Sequence, residues 1–500
     1  HSEHKIIRSL FVELKLDEFE VDDRLPIERF GGGIHEFENK VLVMSRRGQF
    51  YLYQKTNNGD SIKKLNIDID NSYELAQEFA AINEMNIEKA ARNFRFIDVS
   101  FNRDSSPPML LVSHHQWHEE RQCYTLRLSK LELKPDQPPE TVSAKANDWQ
   151  KVYDTTPCLA MNERGPSFAG ERSGGRFAFL DPSSVLLTIG EHGLDGKSGN
   201  HIHSQDQSSD YGKVVRVDLR AGTSSVVSIG HRNPPGLLVD DGGSIWSTEH
   251  GPQGGDELNI IRQDANYGWP FVTHGSEYGF RPWPLSSAQN RHDDFARPIF
   301  VWVPSIGVSN LIQVSRFVPE WNGDLLVTSL KQNTLHRLRY RDGRVIFDEP
   351  INIGHRIRDI GQMTDGTIVV WTDEASIIEI SRVESTTPNF ENFVASLQGH
   401  KRQLALDTIE SCLRCHETSR YGTAQSAPNL WGVYDRRIAG TDFDHYSIGL
   451  RSIKGTWDEE SLNSYLKDVQ GFAAESTMVF AGISDDEVRT AIIDYLKSLR

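Results

Sequence analysis

Short hydrophobic runs, rich in β-branched residues and mostly ending in Ser or Thr, recur along the chain as far as Ile380. Several follow a turn-forming pair such as Asn322-Gly323 or Asp365-Gly366, which is typical of strands joined by tight turns. The recurrence predicts an all-β six-bladed propeller, with a β-sandwich with irregular connections as the alternative. The clearest runs are Lys40–Ser45, Met109–Ser113, Ser184–Thr188, Gly243–Ser247, Asp324–Thr328 and Gly366–Trp371.

The pattern changes beyond Ile380, where a polar stretch containing Pro388 leads into a region with helical spacing. Leu462, Tyr465 and Leu466 share one helical face. The acidic residues 485–487 precede a last segment with helical periodicity, and carboxylates are favourable at a helix N-terminus. We therefore predict a propeller over residues 1–383, a linker over 384–402 and a small all-α domain over 403–500.

Composition excludes several classes of protein. The 500 residues are 37% hydrophobic and 25% charged, which rules out a collagen-like, coiled-coil or mainly disordered chain. The net charge of −16 argues against a nucleic-acid partner, because phosphates would be repelled. We also expect no transmembrane segment, because no run approaches the roughly 18 apolar residues that a spanning helix needs.

The strongest chemical signal is the run Cys412-Leu413-Arg414-Cys415-His416. Two thiols with this spacing can bond covalently to haem, and the adjacent His416 can bind its iron. A redox dithiol is the first alternative, but the histidine and the absence of a βαβ context oppose it. A zinc site is the second, but it would need another ligand pair at suitable spacing.

Met478 is the candidate for the second axial ligand of the iron. It is the one methionine after His416, and the alternative is that it only fills the core. A thioether opposite an imidazole raises the reduction potential, which suits electron transfer.

The C-terminal region resembles class I c-type cytochromes over nearly its whole length. The likeness includes Ala427–Tyr434, Thr456–Glu459 and Met478–Gly482 besides the haem-attachment run. It implies haem c, attached outside the cytoplasm, and hence a periplasmic or secreted protein with a cleaved signal peptide.

Two other cysteines, Cys123 and Cys158, lie far from the attachment run. They form either a disulfide or two small buried apolar side chains, and the geometry that decides between these is not in the sequence. His201 and His203 alternate as a metal pair does, but the polar residues around them favour a solvated loop.

A second dense signal runs from His231 to Pro270, a glycine-rich stretch with cations, carboxylates and aromatic residues. Such composition is typical of a site built at strand ends. Carbonyls and carboxylates suit Ca²⁺, so a structural calcium turn is one interpretation.

This stretch resembles the glucose/sorbosone dehydrogenase family of six-bladed propellers, which use pyrroloquinoline quinone (PQQ) and Ca²⁺. The likeness is good over residues 165–385 and poor over the first 160. It implies a cofactor site whose contacts come from several blades. The implied PQQ contacts are Arg232, Asn233, Trp302, Lys331, Arg356 and Arg358, and the implied calcium ligands are the carbonyls of Gly251 and Pro252.

One departure from the family concerns proton abstraction. The family uses a histidine where this chain has Arg172, and an arginine cannot act as a general base. Glu191 or His192 is the candidate replacement. The family's Gln-Gly-Gly-Leu-Leu-Gly word is also missing, with residues 91–96 near its place.

These features predict a periplasmic dehydrogenase that oxidises a sugar or related alcohol at a PQQ/Ca²⁺ site. Its electrons would pass to the fused haem and then to an external acceptor, a cytochrome or another redox protein. The alternative is a non-catalytic propeller that binds a ligand or partner and is attached to an electron-transfer cytochrome.

Overall fold

Alternating and continuous hydrophobic runs of the first 383 residues form strands in a computed structural model of the chain. The structure describes residues 2–9, 12–21, 27–56, 59–198, 201–286, 291–383, 389–419 and 426–499. Two compact units are present, residues 1–383 and 384–500.

Strands make up most of the regular secondary structure of the first unit. In chain order they are β1 Ser2–Ser9, β2 Val12–Glu20, β3 Gly33–Phe37, β4 Lys40–Met44, β5 Phe50–Thr56, β6 Gly59–Lys64, β7 Asn66–Ile67, β8 Phe96–Asn102, β9 Met109–His118, β10 Cys123–Glu132, β11 Ser143–Ala144, β12 Gln150–Asp154, β13 Gly174–Asp181, β14 Ser184–Ile189, β15 Lys213–Asp218, β16 Ser224–Ile229, β17 Gly236–Val239, β18 Ile245–Glu249, β19 Asp256–Ile261, β20 Ala265–Asn266, β21 Phe300–Trp302, β22 Val308–Gln313, β23 Leu325–Ser329, β24 Thr334–Arg341, β25 Arg344–Asn352, β26 Ile357–Gln362, β27 Ile368–Thr372 and β28 Ser376–Arg382.

Within the described residues, these strands form six sheets of four or five strands and one two-stranded pair, β7 with β11. In five of these sheets the second strand in chain order contains most of one of the six predicted runs, and in the sheet that includes β1 and β2 most of the run lies in β27. The residues of these six strands are almost all buried. Such continuous burial follows because both faces of a blade pack on neighbouring blades. The predicted six-bladed propeller is confirmed.

The last blade combines strands from both ends of the unit. Its order is β1-β2-β28-β27-β26, and β2 pairs antiparallel with β28 along its length. The N-terminal strands therefore close the ring against the final strand of the propeller.

Inner strands of several blades meet at a buried polar hub. Arg176 donates to Asp98 at 2.8 Å and to Asp359 at 2.9 Å. Asn310 and the backbone N–H of Ile34 also donate to Asp359, at 2.7 and 2.9 Å. Because each buried charge has partners from other blades, the hub fixes their relative positions while limiting the cost of desolvation.

Cys123 and Cys158 form a disulfide across 35 residues, with Cα atoms 5.6 Å apart. It joins the start of β10 to the segment after β12.

Replacement of both residues, Cys123→Ala with Cys158→Ala, is expected to lower the free energy of unfolding of the propeller by about 3–4 kcal/mol. The cross-link removes loop entropy from the unfolded chain, and a loop of this length is worth that amount. Denaturant titration of the variant and the parent measures the difference. If the parent, whether oxidised or reduced, unfolds at the same midpoint as the variant, the disulfide does not form.

Within the part of the chain that the structure describes, two α-helices belong to the first unit and five to the second. They are α1 Tyr73–Ile82, α2 Ile87–Asn93, α3 Gly399–Leu413, α4 Ile448–Ser452, α5 Glu459–Lys467, α6 Val469–Phe472 and α7 Asp486–Ser498. The predicted helical faces are buried in α5 and α7, and Asp485 caps α7 by accepting from two backbone N–H groups. No helix of the described residues is both long and apolar enough to cross a bilayer.

The stretch interpreted as a linker contributes to the core of the second unit. Phe390, Val394 and Leu397 are buried there, and α3 begins at Gly399, before residue 403. Polar residues 384–388 lie outside the described part of the chain.

Candidate functional site

The haem-attachment run continues the last turn of α3. The N–H groups of Cys415 and His416 donate to the Cys412 carbonyl at 3.2 and 3.0 Å, so both thiols and the imidazole leave one compact turn. Cys412 is half-buried, and burial raises the pKa of its thiol to about 11, whereas Cys415 is exposed.

The ring of His416 is oriented by a hydrogen bond to the backbone of Pro428. Its Nδ1 lies 2.7 Å from the Pro428 carbonyl oxygen, which accepts a hydrogen bond from Nδ1–H when the proton is on that nitrogen. In that tautomer Nε2 carries the lone pair that can bind a metal. Burial lowers the pKa of this imidazole, which favours its neutral form. A neutral ring oriented by an outer hydrogen bond is the arrangement that metal-binding histidines use.

His416 and Met478 both line one cavity of about 360 Å³, together with Cys412 and Cys415. The Tyr465 hydroxyl donates to the Met478 sulfur at 3.4 Å and so helps to hold the thioether at the cavity wall. The remaining lining is mainly aliphatic and aromatic. The cavity therefore combines apolar walls with the two predicted axial ligands.

The guanidinium group of Arg436 also lines this cavity. Arg436 donates to the carbonyls of Trp431 and Asn429, at 3.0 and 2.8 Å, but its Nε is buried and has no partner among the described residues. A group with an apolar face and an anionic edge, such as haem with its propionates, fits this combination.

In the propeller, His250 lies between two small cavities. One, of about 30 Å³, is lined by Arg95, Asn233 and Arg358, and the other, of about 10 Å³, by Arg232 and Gly251. The structure thus brings four of the residues implied by the family resemblance to one place.

The arginines around His250 lie close to one another: Arg232 is buried, whereas Arg95 and Arg358 are partly exposed. Burial, with a smaller contribution from Arg358, lowers the pKa of Arg95 to about 9. Burial and then Arg172 lower the pKa of Arg232 to about 10. Arg232 also stacks over Trp269, with 5.2 Å between its guanidinium carbon and the ring centroid, and its Nε has no partner among the described residues. Arginines whose charges repel one another favour an anionic ligand.

Arg356 and Arg358 share one buried carboxylate, Asp373, at 3.1 and 2.8 Å. Arg356 also donates to the Leu330 carbonyl at 3.1 Å, next to Lys331, whose side chain is exposed. These three predicted residues therefore lie near one another on two blades.

The remaining predicted contacts have partners within the protein. Asn233 accepts from the Gly174 N–H and donates to the Glu171 carbonyl, both at 3.1 Å. Trp302 is buried in the hydrophobic core, and its indole N–H donates to Asp348 at 2.9 Å.

The carbonyl of Gly251 accepts a hydrogen bond from Arg232 at 2.9 Å, while its N–H donates to Asp256 at 3.1 Å. Pro252 packs against Gly275, where an added Cβ would lie 2.8 Å from the proline ring. The loop with the two candidate calcium carbonyls is therefore held on both sides.

Glu191 and His192 are both fully buried behind Arg172. Arg172 lies 3.4 Å from Glu191 and 3.5 Å from Asp195, and Glu191 Oε2 has no partner among the described residues. Burial raises the pKa of Glu191 to about 7 against the opposing charge of Arg172. Burial lowers the pKa of His192 to about 4, and its two nitrogens contact the Gly190 carbonyl and His115 at 3.1 and 3.3 Å.

Arg95 lines one of these cavities but was not singled out in the sequence, where it only marked the place of a missing family motif. A cation between two buried aromatic residues, Phe94 and Phe96, was the available signal. His201 is exposed and bonded to Asp206 at 2.6 Å, whereas His203 is buried and bonded to Ser209 at 2.8 Å, so only His201 matches the predicted solvated loop.

Comparison with known proteins gives matches to both units. The family model for glucose/sorbosone dehydrogenases matches residues 36–379. An uncharacterized protein of Synechocystis is 34% identical over 251 residues, covering 46% of this chain and 58% of the relative. Aldose sugar dehydrogenase YliI of Escherichia coli is 29% identical over 248 residues, covering 47% and 63%. The chain thus spans about three-fifths of the length of these relatives.

The C-terminal unit matches cytochromes c. Cytochrome c of Theileria annulata is 33% identical over 86 residues, which cover 17% of this chain and 74% of the relative. Among solved structures, the soluble aldose sugar dehydrogenase of E. coli superposes with a TM-score of 0.58 at 22% identity, covering 74% of this chain and all of that chain. This likeness supports the propeller fold.

Proposed function

The chain belongs to the glucose/sorbosone dehydrogenase family and carries a C-terminal cytochrome c domain, and from this premise we propose that it oxidises a sugar or related alcohol with PQQ and Ca²⁺. Electrons then pass to its own haem c and on to an external acceptor. The observation that carries this proposal is the group of arginines that line the cavities beside His250, because their positive charge favours an anionic ligand.

The charge of this group fits PQQ, which has three carboxylates. Arg95, Arg232 and Arg358 would hold them, and the carbonyls of Gly251 and Pro252 would bind Ca²⁺ if Arg232 moved off the Gly251 oxygen. When bound, PQQ with Ca²⁺ supplies a two-electron acceptor for the hydride of the substrate.

The protein must also take the proton of the substrate hydroxyl. Glu191 Oε2 has a free lone pair and a pKa near 7, which is close to the ideal for a general base at neutral pH. Arg172 holds the opposite oxygen of the same carboxylate, and it would have to turn aside to admit the substrate.

In the C-terminal unit, Cys412 and Cys415 would attach the haem, and His416 Nε2 and the Met478 sulfur would bind its iron. Haem held in this way supplies a one-electron carrier. Because both units belong to one chain, the local concentration of this acceptor stays high. Covalent haem and the Cys123–Cys158 disulfide suit an oxidising compartment such as the periplasm.

A second candidate function is a propeller that binds a ligand or partner without oxidising it. Glu191 and His192 are fully buried, Arg172 stands at the family's base position, and the cavities beside His250 have volumes of about 30 and 10 Å³. Side chains there would have to move to admit a cofactor.

The test mixes the oxidised full chain with PQQ, Ca²⁺ and a panel of aldoses, and follows the ferrous haem spectrum. We expect reduction by at least one aldose. The Arg358→Gln variant is expected to need about 10-fold or more PQQ for the half-maximal rate, because it loses a charge-assisted hydrogen bond. Arg341→Gln, at an exposed position, is the matched control.

Two outcomes distinguish the candidates. If PQQ binds but no sugar reduces the haem, the propeller is a binding module. If Arg172→His then gains sugar oxidation, the native propeller is a lapsed catalyst rather than an active one.

A further inference from the structure

Two histidines of the long excursion between β19 and β21 meet a carboxylate at the start of β19. Glu257, His274 and His292 each offer a ligand atom, and these atoms lie within 4.8 Å of one another. His292 Nε2 is 3.8 Å from Glu257 Oε1, and the two imidazole rings stack with centroids 4.6 Å apart.

His292 lacks the hydrogen bonds that a buried histidine needs. It is 5% exposed, and neither ring nitrogen has a partner among the described residues. A neutral imidazole has one hydrogen-bond donor and one acceptor. Burying either of them without a hydrogen-bond partner costs free energy.

Two other buried histidines of the same propeller use both ring nitrogens in hydrogen bonds. His231 contacts Ser228 and Glu249, each at 2.8 Å, and His336 contacts Thr334 and Asp348, each at 2.8 Å. The open nitrogens of His292 are therefore not the usual way in which this fold buries a histidine.

We propose that Glu257, His274 and His292 bind one divalent transition-metal ion of the zinc class. Two imidazole nitrogens with one carboxylate oxygen suit Zn²⁺, whereas Ca²⁺ prefers oxygen ligands alone. Zinc–ligand bonds of about 2.0–2.2 Å place the ligand atoms of a tetrahedral site roughly 3.3–3.5 Å apart. The ligand atoms of these three residues would therefore have to move closer to one another by about 1 Å to bind the ion. Asn259 donates to Glu257 Oε2 at 3.2 Å and so orients the carboxylate.

The ion would tether the excursion to the blade, directly behind the loop with Gly251. Gly255 of that loop packs so closely on the His274 segment that an added Cβ would lie 2.4 Å from the Gly275 nitrogen. Glu257 also lines the cavity that contains Arg232. The proposed role is structural, and it does not depend on the assignment of PQQ.

The test uses the haem-loaded full chain, stripped with a chelator and titrated with Zn²⁺ alone. We expect one zinc per chain by elemental analysis and a thermal midpoint that rises with zinc, because an ion that binds only the folded state stabilises it. Competition with a chromophoric chelator gives the affinity.

His274→Ala and His292→Ala are each expected to weaken zinc binding at least about 100-fold. Loss of a residue that only hydrogen-bonds to a metal ligand costs up to about 100-fold in affinity, and loss of a ligand itself should cost at least as much. His201→Ala is the matched control and keeps the parent affinity. His274 is only half-buried, so its variant stays informative if His292→Ala fails to fold.

Three results would overturn the proposal: no zinc bound, equal zinc affinity in His274→Ala and the parent, or saturation by Ca²⁺ in place of Zn²⁺. Zinc could also bind to Cys412 and Cys415 in chains that carry no haem. That zinc is lost when both cysteines are replaced by alanine, whereas zinc at the proposed site remains.

Discussion

The chain in which alanine replaces both Cys412 and Cys415 is expected to carry no covalently attached haem and to show no sugar-dependent haem reduction. Each thiol leaves the turn that ends α3 and lines the same 360 Å³ cavity as His416 and Met478. Without the thiols, only non-covalent contacts remain to hold the group. Haem staining after denaturing electrophoresis and the pyridine haemochrome spectrum measure the loss.

The matched control replaces the other cysteine pair, Cys123 and Cys158, by alanine. This variant loses the disulfide of the propeller but keeps the attachment turn, so it should stain for haem like the parent. Covalent haem on the Cys412/Cys415 double variant, from cells that mature c-type cytochromes, would contradict the assignment.

The Glu191→Gln variant is expected to lose sugar oxidation by about 10²–10⁴-fold in kcat, the usual contribution of a general base. The base acts only when ionised, so the parent rate should rise with pH and level off above about 7, where burial places the pKa of Glu191. The glutamine variant should lack this ascending limb in stopped-flow measurements of haem reduction.

The pH profile also separates the two candidate bases. A limb near pH 4 would indicate His192, whose pKa burial lowers to about 4. Glu36→Gln is the control, because burial raises the pKa of that carboxyl to about 7 as well, yet it packs against Gly361 in a different part of the ring. A parent-like limb in Glu191→Gln would place the base elsewhere.

Much of the fold could be predicted because the middle of each blade is buried on both faces. Runs such as Ser184–Thr188 and Asp324–Thr328 therefore appear as continuous apolar segments, and each is a buried strand. Helices α1 and α2 interrupt this pattern and were not predicted. Phe390 and Val394 follow a polar stretch that suggested a linker, and their burial depends on the packing of α3 and α7.

The residues proposed to hold haem were the easiest to predict, because Cys412, Cys415 and His416 are close in sequence, and all three line one cavity. The propeller contacts were less so, since they come from separate blades. The bond from Trp302 to Asp348 spans 46 residues, and no local pattern reveals it. The meeting of His292 with Glu257 is equally hidden, because it depends on how a long excursion folds back.

The strand that closes the ring has an evolutionary consequence. β28 is hydrogen-bonded on both sides, to β2 and β27, and it ends at Arg382, just before the boundary with the helical unit. Every strand of the ring is therefore encoded upstream of residue 384. Gene fusion or recombination at that point exchanges the appended redox module without removing a single strand from the propeller.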